Sequence, residues 1–386
     1  MGSVAVTGIG IVSSIGISFD DFSEGIREGR RAGGPLTLFE DEEAPVVAEV
    51  ADFNLEDYID TVKSYIDRTS ALALAACAMA REEANWELTS EEEERAGLAL
   101  GTSWGCMDSL QLCEEKFVKS GPRFVPPLVF THSYANSPNS IISIEYGLRG
   151  FNVCFSGGHA CGLQALAYGA DQVRLGRADY LLGGGADAMS AFVLKGYGVS
   201  GALADSSMPF DSASTGFLLS EGAAVFGIEP AEQAGERAYA ILLGSAVGRS
   251  EDGVEGCLRS MKNALAEGGL GVEDLGLVVA SASGDPEADS LEAMALDQLM
   301  NETGATIPVF PSKLMTGEAM AAGGGLGLAA AIVLLEDGEL PSYPIAPDSA
   351  RESLKMGIEG EFPGEVALVN SVGSGGEISS IAVRLP

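Results

Sequence analysis

Residues Gly150–Asp187, GFNVCFSGGHACGLQALAYGADQVRLGRADYLLGGGAD, decide the fold class. A short β-branched and aromatic run at Asn152–Phe155 leads into an alanine- and leucine-rich stretch, Ala160–Leu175, with the composition of a helix. An apolar run from Tyr180 to Leu182 follows and enters Gly183-Gly184-Gly185 as a buried strand. The same rhythm continues outward. Strand-like runs stand at Val4–Val6 and Leu98–Leu100, and Asp67-Arg68-Thr69 caps a helix through ALALAACAMAREEA. Beyond the quoted stretch, Ala223–Ile228, Ala238–Leu243, Leu277–Ser281, Val366–Asn370 and Ile378–Val383 read as strands. Val254–Glu267 reads as a helix, and Gly317–Leu335 as a second one packed too closely for larger side chains. Strands alternating with helices argue for an α/β protein with covered sheets. The weakest join is the polar segment Pro230–Arg237, which divides the chain into halves 1–232 and 233–386.

Composition narrows the function. The chain has 386 residues, 46% of them hydrophobic and 20% charged, enough apolar material for a large core. Its 22 Lys+Arg against 56 Asp+Glu give a formal charge of −34. That surface repels phosphate backbones and anionic lipid, so neither nucleic acid nor membrane is an expected partner. Six cysteines without CxxC spacing and only two histidines, His132 and His159, give no metal site. The cysteines are expected to be reduced thiols. No basic segment leads an apolar run at the N-terminus and no stretch is long enough to span a bilayer, so a cytoplasmic location is expected. Gly8 and Gly10 lack the lysine or downstream acid of a phosphate loop, so no nucleotide or other cofactor is expected. His132, in FTHSYANSPNS, reads as a satisfied loop histidine.

Several segments, in one order along the whole chain, resemble the β-ketoacyl synthase family. They are Val4–Gly16 (VAVTGIGIVSSIG), Asp67-Arg68, Gly97–Gly105 (GLALGTSWG), Ile144–Asn152 (IEYGLRGFN) and Gly183–Asp187 (GGGAD). Pro209-Phe-Asp, Gly216-Phe217, Glu221-Gly222, Lys313, Thr316-Gly317 and Asn370–Gly376 (NSVGSGG) complete the set. The resemblance implies a thiolase-type fold, a duplicated α-β-α-β-α layering. It also implies a site where a cysteine at a helix N-terminus carries the acyl chain. Two histidines there support decarboxylation of the malonyl extender, and a lysine orders them. In this chain, gap-free counting from Gly150 and from Asp187 puts His159 at the cysteine position. The histidine positions are Ser281, in VVASASGDPEAD, and Glu318, in KLMTGEAM; only Lys313 is kept. Imidazole cannot replace a thiolate as a stable thioester carrier, so no condensing activity is expected. A rival register with Cys161 as nucleophile requires compensating shifts on both sides and still lacks both histidines.

One branch of the family is similar in its losses: the chain-length factor, or ketosynthase β subunit, of type II polyketide synthases. Its nucleophile position is a glutamine followed by Ala-Gly-Gly-Leu, where this chain has His159-Ala-Cys-Gly-Leu163. Pro286-Glu-Ala-Asp289, Gly323-Gly-Gly325 and Leu334–Pro341 (LLEDGELP) fit that branch as well. The resemblance implies a heterodimer with an active ketosynthase α subunit, paired through the strand Phe151, Asn152, Val153, Cys154, Phe155 and Ser156. Acyl carrier protein is expected to be acidic, so it would dock mainly on that partner. Chain length would be set in a tunnel lined from the helix Cys106–Phe117 by Met107, Leu110 and Glu114, which share one face at i, i+3, i+7. Met107 and Leu110 leave that channel without an aromatic block. The loop Gly248–Gly253 (GRSEDG) is shorter than in active members, as suits a subunit that does not receive carrier protein.

Two other readings stay open at this level. His159, Ser281 and Glu318 could form a Ser-His-Glu set in a repurposed hydrolase, acyltransferase or cyclase. Alternatively the chain is a homodimeric scaffold, with His159 a buried or helix-capping residue.

Overall fold

The computed structural model describes residues 2–41, 45–249, 253–304, 306–343, 354, 360–362 and 364–386. Residues 250–252 of the GRSEDG loop lie outside this set. The principal strands are β1 (Val4–Ser13), β2 (Ala96–Thr102), β3 (Asn152–Ser156), β4 (Tyr180–Asp187), β5 (Gly222–Pro230), β6 (Ala240–Arg249), β7 (Leu275–Ala280), β8 (Val309–Pro311), β9 (Val366–Val372) and β10 (Glu377–Arg384). They form an 11-stranded sheet in the order β8-β7-β9-β10-β6-β1-β5-β4-β2-β3, with Gly16–Ile17 paired to β1 off this path. The first half of the chain contributes β3-β2-β4-β5-β1 and the second β8-β7-β9-β10-β6, so the same order recurs strand for strand. The repeats meet antiparallel at Val4–Leu242, Ala5–Ile241 and Val6–Ala240. This is the duplicated α/β architecture of the thiolase-type fold.

Eight helices of ten or more residues stand among the described residues: α1 (Arg68–Glu83), α2 (Met107–Ser120), α3 (Ser137–Tyr146), α4 (Cys161–Arg174), α5 (Ala191–Ser200), α6 (Val254–Glu267), α7 (Pro286–Thr303) and α8 (Ala321–Asp337). The Asp67 carboxylate accepts from Thr69 N at the start of α1, as its sequence predicts. Helix α1 covers β1, β5 and β4, whereas α6 covers β6 and β10 of the other repeat. Helices α4 and α8 touch strands of both repeats and each other, so they form the middle layer. A helix enclosed between the two halves of the sheet has no solvent face, which is why Ala321–Leu335 is apolar throughout and wholly buried. The glycines of α8 are the price of that position: a Cβ at Gly324 or Gly325 would meet Leu163 Cβ at 2.9 Å or Ala224 Cβ at 2.7 Å.

Helix α8 begins later than Gly317–Leu335 suggests. Lys313–Thr316 is a short separate turn, Gly317 has φ +71° and Met320 has φ +54°, so Gly317–Met320 is not helical. That break turns Glu318 inward. The polar join Pro230–Arg237 forms a short helical segment at Ala231–Ala234, tied down where Arg237 pairs with the buried Glu229 at 2.8 Å.

Strand β3 is the free end of the sheet, paired only with β2 among the described residues. Leu98 N donates to Phe151 O, and Gly157 N donates to Thr102 O. In a parallel pair this turns the backbone groups of Val153 and Phe155 toward β2 and those of Asn152, Cys154 and Ser156 outward. Phe151 and Phe155 both pack on Tyr168, with centroids 6.1 and 5.5 Å away.

Candidate functional site

The site forms where the loops ahead of the two central helices meet the carboxyl ends of β7, β8 and β9. His159 precedes α4, Glu318 precedes α8, Ser281 follows β7 and Lys313 follows β8. Gly162, Gly185 and Ala321 bring the helix starts together, since a Cβ on either glycine would collide with the Ala321 carbonyl. Asp187, at the end of β4, is wholly buried and accepts from Thr102 Oγ1 (2.7 Å), Ser103 N (2.8 Å), Trp104 N (3.1 Å) and Ala321 N (3.0 Å). One carboxylate thus fixes the loop after β2 to the first residue of α8.

All four sequence-derived positions fall in one buried network. Lys313 Nζ lies 2.7 Å from Glu318 Oε2 and 3.2 Å from Ser281 Oγ. His159 Nδ1 lies 3.5 Å from the same Glu318 oxygen, and its Nε2 is 2.7 Å from the Tyr197 hydroxyl. Glu318 Oε1 accepts from Met320 N at 2.9 Å. Burial disfavours the Glu318 carboxylate, but Lys313 and His159 outweigh it and hold its pKa down at about 2. Burial likewise works against the imidazolium, yet Glu318 raises His159 above its ordinary value.

This geometry limits the chemistry. Nδ1 faces a carboxylate and therefore carries a proton. Nε2 either accepts from the Tyr197 hydroxyl or, when protonated, donates to it. Neither ring nitrogen is free for a substrate. The Ser-His-Glu set is not assembled: Ser281 Oγ accepts from Val372 N (2.8 Å) and Lys313, and donates to Val372 O (3.2 Å), with no contact to His159. Cys161 is the first residue of α4 and 2% exposed; burial, then Asp187, push its thiol well above the ordinary range, so it supplies no thiolate. His132 is not the satisfied loop histidine its sequence suggests. Its ring packs edge-on against Tyr65, and its buried Nδ1 has no partner among the described residues.

The other positions are more scattered. Met107 packs against the apolar cluster that includes Phe217, Met189 and Met320, whereas Leu110 is 38% exposed and Glu114 faces solvent. Several groups escaped the sequence reading. Tyr197, from α5, contacts His159 and accepts from Trp104 Nε1 at 2.9 Å. Glu292, from α7, is wholly buried; its Oε1 accepts from Ser281 N and Asn370 Nδ2, each at 3.0 Å. Burial pushes that carboxyl up.

The family model for the β-ketoacyl synthase N-terminal domain matches residues 1–234, and that for the C-terminal domain matches 237–344. The chain belongs to the β-ketoacyl synthase family. Among its relatives, this chain is 28% identical over 361 residues to 3-oxoacyl-[acyl-carrier-protein] synthase 2 of Coxiella burnetii, covering 88% of this chain and 87% of the other. The protein of the same name from Vibrio harveyi is 27% identical over 99% of this chain and 98% of its own length. Among solved structures, the ishigamide ketosynthase/chain length factor matches at TM-score 0.91 and 25% identity, covering 100% of this chain and 99% of the other. A ketosynthase in complex with its chain length factor from Xenorhabdus doucetiae matches at TM-score 0.84 and 18% identity, over 100% and 98% of the two chains, a likeness of fold alone. Among the described residues, no helix of this family member is long and apolar enough to cross a membrane.

The raised His159 pKa gives a pH prediction. Its contribution to stability is fully present below the ordinary histidine value and is lost as pH rises through the folded-state value. The stability advantage of wild type over His159→Gln is therefore expected to shrink as pH rises from the ordinary histidine value, about 6.5, through the raised folded-state value. Denaturant unfolding at stepped pH reads it; a flat difference would show that the Glu318 contact has no electrostatic weight.

Proposed function

We propose that this chain is the non-condensing subunit, a chain-length factor, of a two-chain ketosynthase that extends a polyketide from malonyl-loaded acyl carrier protein in type II polyketide biosynthesis. The observation that carries this reading is His159. The position of the acyl-bearing cysteine holds an imidazole with both nitrogens engaged, next to a salt-bridged lysine and no second histidine. Such a site cannot form a thioester, so the chemistry belongs to a partner.

Two surface features support the pairing. The outer edge of β3, residues 151–156, offers unpaired backbone groups to a second strand. The segment that includes and follows α2 exposes Phe117, Val118, Phe124, Leu128 and Phe130, large apolar side chains of the kind a partner chain covers. Leu110 and Glu114, exposed as they are, would line a passage only once a second chain covers them, while Met107 reaches inward. The −34 charge opposes docking of an acidic carrier protein here and assigns that contact to the ketosynthase α subunit.

Native mass spectrometry tests the reading, after co-expression with a ketosynthase encoded beside this chain and incubation with malonyl-loaded carrier protein. A 1:1 heterodimer with acyl mass on the ketosynthase alone is expected. A stable homodimer carrying acyl mass on this chain, at Ser281 or Cys161, would overturn it. In the same complex, Met107→Phe with Leu110→Phe is expected to shorten the product; an unchanged carbon count would remove these side chains from the tunnel wall.

A further inference from the structure

We propose that Trp104, Tyr197 and Glu377 close this chain's own acyl cleft, so that it is barred from carrying an acyl group by filled space as well as by the missing thiol. This deepens the reading above and rests on it.

On one side, Tyr197 stands over His159. Its hydroxyl is 2.7 Å from Nε2, and its ring meets the His159, Trp104 and Phe217 rings edge-on at 5.9, 5.6 and 5.2 Å. Phe217 also meets His159, at 6.0 Å. Trp104 Nε1 can only donate, and it donates to the Tyr197 hydroxyl, so the two rings hold each other in place. Trp104 is itself anchored through its backbone N–H to the buried Asp187. The cover over His159 is thus a braced aromatic wall rather than a loose side chain.

On the other side lies Glu377, the first residue of β10. Its carboxylate occupies the space between the loop before His159 and the last glycine loop: a Cβ added at Gly158 or Gly373 would collide with it, and one at Gly375 would lie 2.6 Å from Oε2. Glu318 fills the third side. The inward N–H of Val372, at the end of β9, is already bonded to Ser281 Oγ. A thioester on residue 159 needs room for its sulfur, its carbonyl and the first carbons of the chain, and on these three sides, among the described residues, it finds a phenol, a carboxylate and a salt bridge. A malonyl group would also meet the Glu377 carboxylate as a like charge.

The consequence is that restoring the nucleophile does not restore the carrier. In His159→Cys, the new thiol is expected to react with iodoacetamide no faster than the buried native cysteines, read by intact mass and peptide mapping. Adding Tyr197→Ala with Glu377→Thr is expected to raise the labelling rate of that thiol by at least about tenfold, because protection then no longer requires local opening. Fast labelling of the introduced thiol in the single variant would overturn the proposal, as would no acceleration in the opened one. Should His159→Cys fail to fold, diethylpyrocarbonate reads the same cleft in the native background. With only two histidines, His132 is the internal reference, and Tyr197→Ala is expected to accelerate modification of His159 alone by a similar factor; equal rates in both proteins would overturn the proposal. Labelling reports the cleft whether or not the chain pairs with a ketosynthase, so a failed seal and a failed pairing give different results.

Discussion

Glu318→Ala is expected to cost about 3–5 kcal/mol of folding stability, far more than an ordinary polar truncation. Glu318 is 2% exposed and is the only carboxylate paired with Lys313 among the described residues, itself 2% exposed. Removing it leaves an ammonium buried with one serine hydroxyl for company, frees His159 Nδ1, and deprives Met320 N of its acceptor just where the backbone is at positive φ. The native state would relax by admitting water or by releasing the turn at Gly317–Met320. The comparison that isolates the charge is Lys313→Met with Glu318→Met. Replacing both partners by apolar groups of similar size removes the desolvation cost together with the attraction, so most of the loss should be recovered. Guanidinium unfolding of the three proteins decides the matter; a single variant within about 1 kcal/mol of wild type would mean that the pair is solvated.

Gly162→Val is expected to be comparably damaging, with loss of more than about 3 kcal/mol and little soluble protein. Gly162 is in the first turn of α4, and its Cα faces Gly185 of β4 and the Ala321 carbonyl at the start of α8. The obstacle is backbone from two other elements, which cannot swing aside as a side chain would. Gly185→Ala strikes the same carbonyl, and its Cβ would also lie 2.7 Å from Gly162 Cα. Gly196→Ala is the control. That glycine is within α5, at negative φ and with nothing within 4 Å of the added methyl, so the change should be neutral or stabilise by roughly 0.5–1 kcal/mol. Equal thermal shifts for Gly162→Val and Gly196→Ala would refute the packing argument.

The layers were legible in the sequence because each element carries its own signature. The β-branched and apolar runs all became strands, most with their ends extended, as Val4–Val6 did in growing to Val4–Ser13, while Ala238–Leu243 begins only at Ala240 and Leu277–Ser281 ends at Ala280. Val254–Glu267 is a helix with the predicted bounds, and the crowding around Gly323-Gly-Gly325 follows from a helix trapped between the two halves of the sheet. The convergence of His159, Ser281, Lys313 and Glu318 could be anticipated only through the family resemblance, because they lie on three separate connections, only Lys313 and Glu318 sharing one. Within that convergence the sequence could not distinguish Ser281 facing His159 from Ser281 facing Lys313; the hydrogen bond to Val372 decides it. The helix break at Gly317–Met320 was hidden by the apolar run that follows. Tyr197 lies in AFVLKGYGVS, a segment with no catalytic pattern, and Glu377 reads as an ordinary polar residue at a strand end. Their importance comes from tertiary neighbours (Trp104 and His159 for one, three glycines for the other) that no local pattern encodes.

The seam between the repeats has a temporal side. Strand β1 pairs with β5 through Val4–Pro230 and with β6 through Val4–Leu242, so both of its long neighbours lie far downstream. At ribosomal speeds of about 5–20 residues per second, the strand waits on the order of ten seconds or more before either is available. Throughout that interval a largely apolar segment, VAVTGIGIV, has as strand partner only the small Gly16–Ile17 arm. Such non-local closure slows folding and leaves nascent chains open to mutual association. Production of this protein should therefore depend on chaperone supply and on slow, cool expression, even though the finished sheet has β1 at its centre.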